Sequence, residues 1–292
     1  MKALVVIPAY DRVELFRECL AALHKNDRSL FEVVVSIDKS EHYKELKKVC
    51  NEFECAMLTH IDYMSRRMGA DLNTVELLNY AFDSHKRDLM FSDHTHIIAM
   101  GSDIIVSNNF VHDLLILSSK FDAYAVSPTT GRQSLEWKLE NVNSVVHGSA
   151  TGQNFCIPLH HWKTISPIVN AFSERFYTKP LTAETLHDRS TVVRVMLDAA
   201  KYKQNPSSKR MIAHMLAGEI DGCGEVNSAE DGLIVAALCM YGIPMVSYAA
   251  NRASHPSNIG VNTTQRYYEE HYAGVVVDDL PKADAFQLKL IG

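Results

Sequence analysis

Four short stretches of this 292-residue sequence put charged or polar side chains where a ligand can use them. Gly101, Ser102 and Asp103 follow directly on the apolar run His96 to Met100. A carboxylate at the end of a buried strand is costly unless it is hydrogen-bonded or sits on a cation. Magnesium or manganese commonly binds through one or two such carboxylates plus the phosphates of a substrate. Arg66, Arg67, Met68 and Gly69 precede a helical pattern. Glycine lets backbone approach a phosphate, arginine grips its oxygens in a bidentate way, and a helix N-terminus favours negative charge. Pro8, Ala9 and Tyr10 close the first apolar run and offer a surface for a nucleobase, with Asp11 or Arg12 set to meet ribose or base. Asp38 closes the second run and is placed to accept from the same groups. Glu230 and Asp231 open a later helix, where a carboxylate can act as general base, and His255 lies in the polar loop Asn251 to Pro256 as a candidate metal ligand.

Each stretch also has a plainer structural use. Asp11 suits a helix N-cap and Asp38 a turn. The arginines suit a solvated turn, Asp103 suits the cap of the next helix, and Glu230 with Asp231 suit a helix dipole. His255 suits a surface loop. Which use holds depends on the elements that carry them.

Those elements alternate. Ala3 to Ile7 is a continuous apolar run ended by Pro8, the pattern of a strand buried on both faces. Asp11 is expected to cap a helix whose stripe is Val13, Phe16, Leu20 and Leu23. Phe31 to Ile37 is a second strand, followed by a charged amphipathic helix from Glu41 to Phe53, a short strand at Ala56 to His60, a helix from Asn73 to His85 and the strand His96 to Met100. A helix is expected over Ser107 to Leu117, then strands at Ala123 to Ser127 and Asn154 to Pro158. A long helical, basic stretch runs from Pro167 to Leu216, with Gly218, Gly222 and Gly224 after it. Ala229 to Tyr241 is a helix and Pro244 to Tyr248 a strand. The order predicts an α/β fold with a mostly parallel sheet covered on both faces, which binds ligands at the carboxyl ends of its strands. The expected organisation is a first half over 1–110, a second half over 111–262 with its helical insertion at about 167–216, and an extension over 263–292.

The composition is that of a globular protein, with 47% hydrophobic and 22% charged residues. A formal net charge of −6 argues against binding nucleic acid or anionic membrane with the whole surface. Arg189, Arg194, Lys201, Lys203, Lys209 and Arg210 form either a basic face suited to a phosphate-rich or nucleic-acid acceptor, or a solvated helical surface. The six cysteines are scattered without a Cys-x-x-Cys pair, so they are expected as core residues rather than as disulfide or zinc ligands. No run reaches the length of a membrane span and no cleavable leader is evident, so the expected location is the cytoplasm.

In their order the four stretches resemble the common core of GT-A glycosyltransferases, and the opening Val5 to Arg12 is similar to the first strand of the large inverting families. The correspondence runs from Gly69 through Gly101, Ser102 and Asp103 as a D-x-D-like motif, then Ala229, Glu230 and Asp231 as an x-E-D-like motif, to His255. The resemblance implies that Asp103 and His255 hold Mn2+ or Mg2+, that Asp231 is the base, and that Glu230 supports it or meets the acceptor. It implies a UDP- or GDP-sugar donor and a glycan or small-molecule acceptor. Glycine at 101 departs from the usual first acid, so the donor ribose contact falls to Ser102 or a main-chain group. The same departure leaves open a nonenzymatic nucleotide- or sugar-binding protein of this fold. A sugar nucleotidyltransferase, a Rossmann dehydrogenase or a methyltransferase needs a glycine-rich turn after the first strand, and residues 8–12 have none.

Overall fold

The computed structural model describes residues 1–58, 67–86, 93–127, 143–148, 154–203, 205–217, 225–256, 269 and 281–291. Among them, β1 (Ala3–Ala9) is buried at every position. Its side chains alternate between the two faces of the sheet, so Leu4 and Val6 enter one core cluster while Ala3, Val5 and Ile7 enter the other. Around β1 lie β2 (Phe31–Ile37), β3 (Ala56–Leu58) and β4 (His96–Met100), all parallel. Beyond β4 come β8 (Asn154–Pro158), β6 (Tyr124–Val126), β9 (Met245–Tyr248), β7 (Ser144–His147) and β11 (Lys289–Leu290). The order across the nine-stranded sheet is β11-β7-β9-β6-β8-β4-β1-β2-β3, with antiparallel pairs at β4/β8, β6/β8 and β7/β9 and parallel pairs elsewhere. A second, two-stranded sheet pairs β5 (Ile105–Val106) with β10 (Ala253–Ser254). This mostly parallel α/β sheet matches the expected class.

Helices cover both faces. One face holds α1 (Val13–Leu23), α2 (Tyr43–Glu52) and α4 (Phe110–Phe121). The other holds α3 (Ala70–Lys86), α5 (Leu159–Phe176), α6 (Ala183–Ala200), α7 (Pro206–Ala217) and α8 (Glu230–Tyr241). The expected single stretch from Pro167 to Leu216 is therefore three helices. The first starts earlier, at Leu159, and carries Pro167 inside it. Pro167 lies in the third turn of α5, so that helix forgoes one main-chain hydrogen bond there. All three contribute apolar residues, Trp162, Val193 and Met211 among them, to the core that also contains Leu4 and Ile97.

Two further expectations are corrected. Asp11 is not the cap of α1: the capping position is Arg12, in the left-handed region at φ 57°, with no side-chain capping bond. β1 does not stop at Pro8 but runs on through Ala9, because Pro8 and Ala9 stay in register with Ser36 and Ile37. Of the six cysteines, Cys19, Cys50, Cys55, Cys156 and Cys239 are free and buried, and Cys223 lies outside the described residues. Among the described residues no helix is long and apolar enough to cross a membrane.

Candidate functional site

The strand order reverses at β1. The chain passes from β1 to β2 and β3 on one side and then returns to place β4 on the other. The helix after β1 lies on one face and the helix before β4 on the opposite face, so a crevice opens between the carboxyl ends of these two strands. Arg12 follows β1 and Asp103 follows β4, and the Arg12 guanidinium donates to the Asp103 carboxylate. His255 Nε2 lies 3.1 Å from the same oxygen, Asp103 Oδ2. Burial pushes the Asp103 carboxyl up, but the His255 hydrogen bond and the charges of His255 and Arg12 together outweigh it and hold the group below its ordinary value.

His255 reaches Asp103 because of a pairing the linear sequence does not display. Ser254 is opposite Ile105 in the β5/β10 ladder, so the residue after one strand meets the residues before the other. The turn leading into β10 is pinned by Arg252. That side chain is fully buried and its Nε donates to Asp113 Oδ2 at 2.5 Å, while its guanidinium lies 3.4 Å from the centre of the Tyr248 ring. The Arg252 main-chain N–H also bonds the Ser127 hydroxyl, and its carbonyl accepts from Ser107.

A second group of residues surrounds the end of β2. Asp38 is 3% exposed and accepts main-chain N–H groups from Lys39, Met68 and Gly69 at 2.7, 2.8 and 2.9 Å. It thereby anchors the loop that starts α3, with Gly69 at φ +82°, a conformation glycine adopts without penalty. Both Asp38 oxygens are engaged inside the protein, so the expected contact to base or ribose would have to be added to these bonds. Arg67 stacks on Tyr10, its guanidinium 3.8 Å from the ring centre. Pro8 and Ala9 are buried in the strand, which leaves Tyr10 as the part-exposed member of that trio. Asp11 and Ser102 are part-exposed beside Arg12 and Asp103, whereas Arg66 lies outside the described residues.

The third group joins two helix N-termini. Asp71, in the first turn of α3, accepts the Glu230 main-chain N–H at the start of α8 through Oδ1, while Oδ2 lies 3.5 Å from Arg189. Asp231 Oδ1 accepts from the Gly232 N–H and from Asn227. Burial raises the Asp231 carboxyl above its ordinary value and the negative charge of Asp71 adds to that, against the opposing pull of those two hydrogen bonds. A carboxylate with a raised pKa is the better proton acceptor near neutral pH.

The sequence matches no protein-family model, and no curated protein matches it at a significant level. Three solved structures of similar fold have low identity. S. aureus TarS, residues 1–349, is 13% identical over 73% of this chain and 69% of that one, with a TM-score of 0.46. The mannosyltransferase PcManGT from Pyrobaculum calidifontis, in complex with GDP-Man and Mn2+, is 12% identical over 82% and 73%, with a TM-score of 0.45. Glucosyl-3-phosphoglycerate synthase from Mycobacterium tuberculosis, in complex with UDP, is 11% identical over 66% and 78%, with a TM-score of 0.41. At such scores these likenesses carry no functional weight, and the chemistry rests on the geometry above.

The structure thus brings Arg12 and His255 to the Asp103 carboxylate, and Tyr10, Asp38, Arg67 and Gly69 together at the loop before α3. Asp71 and Arg189 adjoin the start of α8, a placement their local sequence does not indicate. Arg189 was expected on a basic surface but is 4% exposed, donates to the Phe176 carbonyl and lies over the Tyr177 ring. Asp71 carried a usable signal, an acid in the first turn of the helix after Gly69. Arg194, Lys201, Lys203, Lys209 and Arg210 are exposed.

Proposed function

We propose that this chain is a GT-A-type glycosyltransferase that moves a sugar from a nucleotide-diphosphate donor, UDP- or GDP-linked, to a hydroxyl of a glycan or small-molecule acceptor. The supporting observation is the convergence of Arg12, Asp103 and His255 at the carboxyl ends of β1 and β4, where the strand order reverses. Open α/β sheets bind their ligands at such a point.

A divalent ion fits this donor set. Asp103 Oδ2 and His255 Nε2 are 3.1 Å apart, a spacing that two ligands of one ion can share, and oxygen with imidazole suits Mn2+. Asp103 and His255 would hold it, and when bound it would neutralise charge on the departing nucleotide diphosphate. Arg12 lies on the same oxygen and must give way when an ion binds. Freed from Asp103, its guanidinium is positioned to take a phosphate oxygen instead. Arg67, stacked on Tyr10 at the neighbouring strand end, supplies a second cation to the same side. Tyr10 carries the nucleobase, and Ser102 takes the ribose in place of the acid that Gly101 lacks. Asp231 takes the proton of the acceptor hydroxyl, whose oxygen attacks the anomeric carbon in line as the bond to the nucleotide diphosphate breaks, so that the nucleotide diphosphate leaves and the carbon inverts. Asp71 holds the start of α8, where Asp231 lies, through the Glu230 main-chain N–H.

The experiment is a thermal-shift panel of UDP, GDP, CMP and dTDP and their sugars, each with and without manganese. A ligand at about 100 times its dissociation constant adds about 2.7 kcal/mol of stability. One nucleotide diphosphate is expected to stabilise the wild type more with manganese than without, and that increment is expected to vanish in Asp103→Ala. No stabilisation by any of them would sink the reading.

A further inference from the structure

At the other end of the sheet, two adjacent histidines converge on one carboxylate. Asn154 of β8 is opposite Met100, at the site end of β4, while Pro158 is opposite His96, at its start. His160 and His161 follow Pro158 in the first turn of α5, and so lie at the end remote from Asp103. Neighbouring residues on an α-helix point about 100° apart, yet here both rings lean the same way, with centroids 4.1 Å apart. Their common target is Asp122, the residue after α4, whose backbone is left-handed at φ 45° and ψ 57°. His160 Nε2 is 2.9 Å and His161 Nε2 3.3 Å from the same oxygen, Asp122 Oδ1. The three ligand atoms all fall within 4.8 Å of one another.

We propose that Asp122, His160 and His161 form a separate site for a divalent transition metal such as Zn2+. Two imidazoles and one carboxylate are the donors that Zn2+ prefers, and three protein ligands leave a position for water. The Asp122 carbonyl oxygen, 2.8 Å from His161 Nε2, adds a further oxygen at the same place. Both imidazoles present Nε2, so the ring proton belongs on Nδ1 when the ion binds.

The ligands come from rigid supports. The end of α4 is closed by the Ala123 N–H to the Ser118 carbonyl and by the Ser118 hydroxyl to the Ala123 carbonyl. On the other side β8 is hydrogen-bonded to both β4 and β6. His96 is close by but lies outside the ligand set, because its Nδ1 faces the Thr95 hydroxyl at 2.8 Å and its Nε2 the Ser119 hydroxyl at 3.3 Å. His160 and Asp122 are exposed, so an ion enters without a change of fold. The bound ion would staple the end of α4 to the start of α5.

The test uses tag-free, chelator-treated protein in an Asp103→Ala background, which removes the Asp103 and His255 pair from the titration. Zinc is followed by calorimetry, and cobalt by its visible absorption. One ion per chain is expected, weakened about tenfold or more by His160→Ala and by Asp122→Asn. Asparagine tolerates the left-handed backbone, so that variant changes the ligand and keeps the turn. Far-ultraviolet circular dichroism of the metal-free variants checks that both are folded. The proposal is overturned if the parent takes up no zinc at millimolar concentration, or if uptake is undiminished in both variants.

Discussion

At the scale of single residues, Arg12 and Asp231 carry the sharpest consequences. Arg12 combines a left-handed backbone with a guanidinium on the oxygen that a metal would use. Arg12→Gly removes the charge and suits the backbone, since glycine adopts positive φ without strain. Manganese affinity without nucleotide should rise several-fold, read from the electron spin resonance of free Mn2+, and affinity for the nucleotide diphosphate should fall. Unchanged manganese binding would show that Arg12 does not compete at Asp103. Asp231 has the opposite profile, because its folded pKa is raised. The folded state then binds more protons than the unfolded chain between the ordinary value of about 3.9 and the raised one. Stability is therefore lost as pH rises through that interval. Asp231→Asn keeps an acceptor for the Gly232 N–H and has no charge to bury. It should melt higher than the wild type at pH 7, show no such advantage below about pH 4, and lose transfer while still binding donor. A variant with full turnover would remove Asp231 as the base.

Elements explain why these residues meet. The β5/β10 ladder has two residues a side, too short to hold a loop by its own hydrogen bonds. The buried Arg252 and Asp113 pair supplies the anchor, with the Tyr248 hydroxyl donating to the Asp113 carbonyl at 2.8 Å and the Ala283 N–H to its carboxylate at 2.9 Å. Removing one partner of a buried pair leaves an uncompensated charge and costs about 3–5 kcal/mol. Arg252→Met should lower the denaturation midpoint accordingly. It should also weaken manganese binding, since His255 is three residues along the same loop. Loss of stability with metal binding intact would mean that His255 is positioned by something other than this anchor.

For the whole molecule, the sheet passes without interruption from β1 through β4, β8 and β6 to β9. Both core clusters draw on residues before and after position 110: Ile98 and Met100 share one with Leu114, Cys156 and Tyr248, and Leu4 and Ile97 share the other with Trp162 and Leu233. A fragment ending at residue 110 would leave one edge of β4 unpaired and apolar surface bare on both faces. Such a fragment should show little protection in amide exchange, whereas the intact chain should protect β1 and β4 most strongly. Strong protection in the fragment would contradict the shared core.

The local pattern alone settled the strands Phe31–Ile37, His96–Met100 and Asn154–Pro158, because continuous apolar runs between turn residues admit little else. It also marked Asp103, Asp231 and His255, since strand ends and helix starts are visible locally. The two-residue strands and β7, which lies between β11 and β9, were not legible, as their pairing energy comes from distant partners rather than from their own residues. Arg189 reads as a surface cation until tertiary packing supplies Asp71, and nothing local marks Arg252 as the buried partner of Asp113. Sequence thus determined which residues stand at the ends of elements. Only the folded chain decided which ends meet, because that depends on strand order and on buried charge pairs formed between residues more than a hundred positions apart.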